Sequence, residues 1–226
     1  MTIKDNINLF QRELEGLGCR LIAVSKTKPK EMILEAYEAG QRIFGENKAQ
    51  EMMAKHEALP KDIQWHMIGH LQSNKVKYIA SFVSLIHSVD SQKLLEEINR
   101  QGKKANRVIP CLLQVYIAQE ETKFGFDRSE LTELIKSQTM ETYEFVQVTG
   151  LMGMASLTHD QEKIRLEFLG LKKLFADLKA SQLPQNVKMT ELSMGMSSDY
   201  KIALQEGGTL IRIGTAIFGE RNLITQ

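Results

Sequence analysis

Cysteine is nearly missing from this chain of 226 residues: only Cys19 and Cys111 occur, each beside an apolar, strand-like run. Two such thiols read as buried and free, so no disulfide framework is expected and the fold must rest on its core. Long apolar runs are missing too, and no stretch approaches the roughly 18 residues needed to cross a bilayer. The opening MTIKDNINLFQRELEGLG is charged throughout and has no apolar signal core, so a cytoplasmic protein with no membrane partner is expected. Neither sign of charge dominates: 29 basic and 28 acidic residues leave +1, which argues against nucleic acid as a partner. No low-complexity segment or linker interrupts the sequence, so one domain over 1–226 is expected. Last, no G-x-G-x-x-G follows the first strand-like run, which weakens an open dinucleotide-binding sheet.

What is present is a beat. An opening helix is predicted from Ile3, Ile7, Phe10, Leu14 and Leu17 at helical spacing. Short apolar runs then alternate with amphipathic ones: RLIAVSK with PKEMILEAYEAG, RIFGEN with KAQEMMAKHEAL, IQWHMIG with NKVKYIASF, VSLIHSVD with SQKLLEEINRQG, VIPCLLQVYI with DRSELTELIKSQ. Farther on, FVQVTGLMGM precedes the longest helical pattern, VKMTELSM precedes a helix starting near Ser198, and TLIRIGTAIFG closes the series. Near-continuous apolar strands separated by helices indicate a parallel sheet covered on both faces. About eight such units fit a (β/α)8 barrel better than a doubly wound Rossmann-like sheet.

The barrel gives meaning to a lysine that ends a strand. Side chains alternate along a strand, so Ile22, Val24 and Lys26 share one face. Lys26 stands at the C-terminal end of the first strand, where barrel enzymes keep their chemistry; a lysine snorkelling outward is the bland alternative. In TLIRIGTAIFG, Leu210, Arg212 and Gly214 share a face, and an eighth strand neighbours the first. Arg212 facing Lys26 would disfavour the ammonium form relative to its usual pKa of about 10.4, and a neutral amine is what a Schiff-base nucleophile needs. Gly214 and Thr215 offer backbone N–H groups and a hydroxyl. LSMGMSSD (192–199) supplies a second candidate anion loop, although an N-cap serine beside a flexible glycine would read the same way. Lysine, arginine and two anion loops together suggest pyridoxal 5′-phosphate (PLP).

The motifs AVSKTKP, FGEN (44–47), WHMIGHLQSNK (65–75), HSVD (87–90), GLMGM (150–154), LSMGMSSD and RIGTAIFGER (212–221) run in order over nearly the whole chain. In this the sequence resembles the pyridoxal phosphate homeostasis proteins, single-barrel relatives of the N-terminal domain of alanine racemase. The resemblance implies a (β/α)8 barrel with an extra N-terminal helix, and PLP held as a Schiff base on Lys26. It further implies Arg212 facing the pyridine nitrogen, Ser197, Gly214 and Thr215 on the phosphate, and Asn47 and Met194 lining the pocket. Two departures stand out: Lys48 where the family has tyrosine after FGEN, and Tyr116 where QVN is usual.

The same resemblance implies a carrier or buffer of PLP, a monomer or weak dimer, with PLP-dependent apoenzymes as recipients. Physics agrees: a guanidinium at the pyridine nitrogen cannot donate the proton that makes PLP a strong electron sink. The enzymatic alternative is an amino-acid racemase, which needs a second acid–base group opposite the lysine. Tyr116 and Tyr200 are candidates for it, with packing or rim roles as the bland reading. A phosphate-binding barrel enzyme without PLP is a third possibility. His66 and His70 have a metal-like spacing but no third ligand nearby; His66 is expected to border the pocket, and His87 to be satisfied behind it. Lys123 could capture PLP transiently or simply be solvated.

Overall fold

Apolar spacing sets the first element. Helix α1 (Ile3–Leu14) buries Ile3, Ile7, Phe10 and Leu14, and a reciprocal cap between Thr2 and Asp5 fixes its start. The helix ends there, so Leu17 lies beyond it and is exposed, against expectation. The computed structural model describes residues 1–118 and 124–220. The beat follows with β1 (Arg20–Val24), α2 (Lys30–Glu38), β2 (Ile43–Glu46), α3 (Ala49–Ala58) and β3 (Gln64–Met67). A 3₁₀ helix (Ser73–Tyr78) replaces an α-helix in the third connection, before β4 (Leu85–Val89) and α4 (Gln92–Lys104). Then come β5 (Ile109–Gln114), α5 (Arg128–Lys136), α6 (Gln138–Glu141), β6 (Val146–Met152) and α7 (Gln161–Lys179). The described chain finishes with β7 (Val187–Met196), α8 (Tyr200–Gln205), β8 (Leu210–Ile213) and α9 (Thr215–Phe218).

The strands close into an eight-stranded barrel in sequence order, all neighbours parallel, with β1 beside β8. Two cores result. Between barrel and helices lies the large one, which includes Phe44, Trp65, Ile86, Leu113 and Phe168, all fully buried. Inside the barrel lies a small one: Ile22, Leu85, Leu112, Met152 and Leu210. Each fully buried Ile, Leu or Met contributes roughly 1.5–3 kcal/mol, so the outer core supplies most of the stability and the inner one plugs the bore. Among the described residues, no helix is long and apolar enough to cross a membrane.

The tightest backbone approach is between β6 and β7. Pairing register shifts between Val148 and Gly150, and a Cβ at Gly150 would lie 1.8 Å from the carbonyl oxygen of Glu191, at φ +155. Backbone cannot yield as a side chain can, so Gly150→Ala should cost at least about 3 kcal/mol, the upper range of overpacking. Urea unfolding followed by circular dichroism checks this.

Candidate functional site

Strand alternation delivers Lys26 to the bore. Leu21 and Ala23 face the helices, Ile22 faces the interior, and Val24 and Lys26 line a cavity of about 400 Å³ at the C-terminal mouth. The β1–β8 register pairs Ile22 with Arg212, so Arg212 enters the same cavity one layer below Lys26. Asn47, Ser197, Gly214 and Thr215 line it as well. A larger groove of about 550 Å³ lies against α7, with Leu166 and Leu171 among its walls, and its cations Arg128 and Lys163 stand among the carboxylates of Asp160, Glu162 and Glu167.

Two turns face the cavity. At α9, Gly214 is the cap: its carbonyl accepts from the N–H groups of Ile217 and Phe218, each at 2.9 Å. The N–H groups of Thr215 and Ala216 precede that ladder and are available to an anion. A side chain at Gly214 would crowd Val24, 3.4 Å from its Cβ. The other turn precedes α8, where Asp199 Oδ1 accepts from the Met196 N–H (2.6 Å) and the Asp199 N–H donates to Met196 O (3.1 Å). This loop presents Ser197 and Ser198. Burial raises the Asp199 carboxyl above its usual pKa. The helix expected from Ser198 begins at Tyr200 because Ser197–Asp199 form that turn.

α9 is braced from both sides. Asn6 of α1 donates to Ile217 O at 3.0 Å. Lys28 Nζ donates to the carbonyls of Phe218, Gly219 and Glu220 at 3.0, 3.0 and 2.9 Å, which suits a cation at a helix C-terminus.

Below the mouth, the barrel carries a buried polar layer. Arg212 donates to Ser193 Oγ (2.6 Å) and to Gly153 O (3.1 Å). Ser193 Oγ also meets His87 Nδ1 at 2.9 Å, and His87 Nε2 meets His66 Nδ1 at 3.0 Å. Burial lowers the Arg212 pKa to about 10, so the guanidinium remains charged at neutral pH. Burial lowers His66 to about 3, and lowers His87 strongly through burial and then the neighbouring His66 and Arg212. Both histidines are therefore neutral. Across the wall, Glu46 is fully buried on the outer face of β2 and is raised to about 7 by burial, against the pull of Lys55.

The structure thus gathers Lys26, Asn47, Ser197, Arg212, Gly214 and Thr215 around one cavity. Met194 is a correction. It points to the other side of β7, fully buried in the outer core with Ala203. Met196, two residues on, lines the mouth because the strand register shifts between Ser193 and Met196, with Gly195 at φ +92, and breaks the alternation there. In GLMGM likewise, Met152 is in the bore and Met154 at the mouth. His66 lies in the buried layer and not on the cavity wall; His70 instead pairs with Asp90 at 3.0 Å, which separates the two histidines. His87 is satisfied on both ring nitrogens, as expected. Tyr116 lines the α7 groove. Tyr200 donates to Glu13 (2.9 Å) and meets Phe10 edge-on at 5.4 Å. Lys48 is exposed at the start of α3, and Lys123 lies outside the described residues. Lys28 was missed, although TKP follows Lys26 directly.

The cavity's chemistry suits a phosphorylated aldehyde: an amine to react with the carbonyl, N–H groups and hydroxyls for an anion, and a cation at the depth of a planar ring. The family model described as "Alanine racemase, N-terminal domain" matches residues 1–222. A pyridoxal phosphate homeostasis protein of Aquifex aeolicus is 43% identical over 93% of this chain and 91% of its own length. PipY of Synechococcus elongatus, solved with PLP bound, superposes with a TM-score of 0.85 at 37% identity, covering 96% of this chain and all of PipY. Alanine racemase of Bartonella henselae, at 17% identity and a TM-score of 0.73, shares the fold over 97% of this chain and 60% of that one.

The buried groups set a pH dependence. The two histidines are depressed from 6.5, so the unfolded chain takes up protons first and stability falls as pH drops below about 6.5. Glu46, raised from 4.5 to about 7, acts oppositely, adding stability as pH falls from about 7 to 4.5. A shallow decline between pH 6.5 and 4.5 should therefore steepen below 4.5. In Glu46→Gln the steep slope should begin near 6.5, as read from urea midpoints across pH.

Proposed function

Since this chain belongs to the family of the pyridoxal phosphate homeostasis proteins, built on the alanine racemase N-terminal domain, we propose that it binds PLP at the barrel mouth through Lys26 and carries or buffers the cofactor for PLP-dependent apoenzymes. One observation carries the proposal: a lysine, a buried arginine and two turns with exposed donors surround one cavity of ligand size. When bound, PLP supplies an aldehyde. Lys26 would offer its amine to that carbonyl, and Ser197, Gly214 and Thr215 would hold the phosphate. Arg212, pinned by Ser193 and Gly153, would meet the pyridine nitrogen as a cation with no proton to give it. Asn47 would line the ring.

A carrier is favoured over a racemase by where the other candidate bases stand. Tyr200 is bound to Glu13 on the α1 side of the barrel, and Tyr116 lines a different groove. Lys28 is at the mouth, but its three donors are committed to the carbonyls after α9. Neither tyrosine is placed to exchange a proton with a substrate carbon opposite Lys26.

Purified protein given PLP should turn yellow and yield a borohydride-trapped pyridoxyl group on Lys26, and Lys26→Ala should lose both. A wild type that stays colourless with excess PLP overturns the proposal. Exchange of α-hydrogen for solvent deuterium in a panel of amino acids should not exceed that of free PLP; exchange well above it would establish the racemase.

A further inference from the structure

Outside the barrel wall, a second cluster of charges grips the backbone on either side of Lys26. Ser25 points away from the bore, and its Oγ donates to Glu46 Oε1 at 2.6 Å. The carbonyl of Ser25 accepts from Lys55 Nζ at 2.8 Å. The N–H of Thr27 donates to Glu51 Oε1 at 2.6 Å. Lys55 joins the two carboxylates, 2.8 Å from Glu46 and 2.7 Å from Glu51. Glu46 and Lys55 are largely desolvated, with side-chain exposures of 0% and 11%, where such contacts are stronger than on an open surface.

Thr27 shows what the cluster enforces. Its φ is +64, a left-handed conformation that disfavours a β-branched residue. Such an outlier persists only where its surroundings over-determine it, and it tends to mark function. The chain turns sharply there, and Lys28 N–H closes the turn on Ser25 O at 3.0 Å. Lys26 therefore leaves the strand from a backbone fixed on both sides by residues of β2 and α3. None of those residues lines the cavity.

We propose that Glu46, Glu51 and Lys55 are positioning residues: they clamp the Ser25–Thr27 backbone so that the Lys26 amine is aimed at the aldehyde of PLP. This deepens, and rests on, the assignment of Lys26 as the lysine that carries PLP. The clamp acts on the backbone that carries the amine, whereas the phosphate turns are built from β7–α8 and β8–α9, which contribute none of the clamp's residues. Covalent capture and phosphate grip are thus separable.

The test pairs two ligands. PLP reads the amine, through the rate at which a borohydride-trapped adduct appears on Lys26. Pyridoxine 5′-phosphate, an alcohol that cannot condense, reads the phosphate grip alone through its dissociation constant. Glu51→Ala should slow the Lys26 adduct about tenfold, the scale of one charge-assisted hydrogen bond, with pyridoxine phosphate affinity and thermal midpoint unchanged. Glu51→Gln, which keeps an acceptor, should recover part of the rate. Thr27→Gly relieves the strain and frees the backbone, so it should slow the adduct while the thermal midpoint holds or rises. An unchanged adduct rate in Glu51→Ala and Thr27→Gly, or an equal loss of both ligands, overturns the clamp. A wild-type adduct on another lysine would instead overturn the assignment of Lys26, and the clamp with it.

Discussion

Everything at the mouth depends on the pairing of β1 with β8. That one register, Ile22 against Arg212, joins the two ends of the sheet and stacks three layers in the bore. At the bottom are Ile22, Leu85, Leu112, Met152 and Leu210; next is the layer of His66, His87, Ser193 and Arg212; on top is the cavity with Lys26. A slip of one residue would turn Lys26 toward the helices and Ser25 into the bore. The site is therefore a product of closure, since the first and the last strand contribute its two cations.

The middle layer is costly by itself. Burying a guanidinium and two imidazoles forfeits hydration that apolar residues would not have had to give up. The cost is contained because each group is satisfied by a neighbour in the same layer, and because burial leaves the histidines neutral. Glu46 is less well served: its Oε2 has no hydrogen-bond partner among the described residues, in keeping with its raised pKa. Polar groups under such strain behind and below a cavity exchange stability for a fixed geometry. A scaffold held mainly by a large outer core of apolar side chains can sustain that exchange.

The barrel was legible because its signal is a repeated one: eight apolar runs with helices between them, where an error at one does not undo the rest. Lys26 and Arg212 were legible from strand parity and from being the last polar residues on inward faces. Met194 went astray because a resemblance overrode parity: alternation from inward-facing Ser193 turns Met194 outward, and only the register shift between Ser193 and Met196 brings Met196 to the mouth. Other features had no local trace. His87 and Ser193 are 106 residues apart in the chain. Lys55 and Glu51 have the i, i+4 spacing of an ordinary exposed helix pair, and only the fold shows that they close on Ser25 and Thr27. The left-handed Thr27 was equally hidden, because threonine carries no signal for that conformation.

The neutrality of the histidine pair has one more consequence. Of the four residues in the middle layer, Arg212 alone bears charge, and it keeps it from mildly acidic to mildly alkaline conditions. The floor beneath the mouth then behaves like an electrode held at constant positive potential, indifferent to the acidity of the surroundings. Whatever pH sensitivity an anionic guest displays across that range would arise from the guest's own titration and from groups above and behind the floor, Glu46 among them.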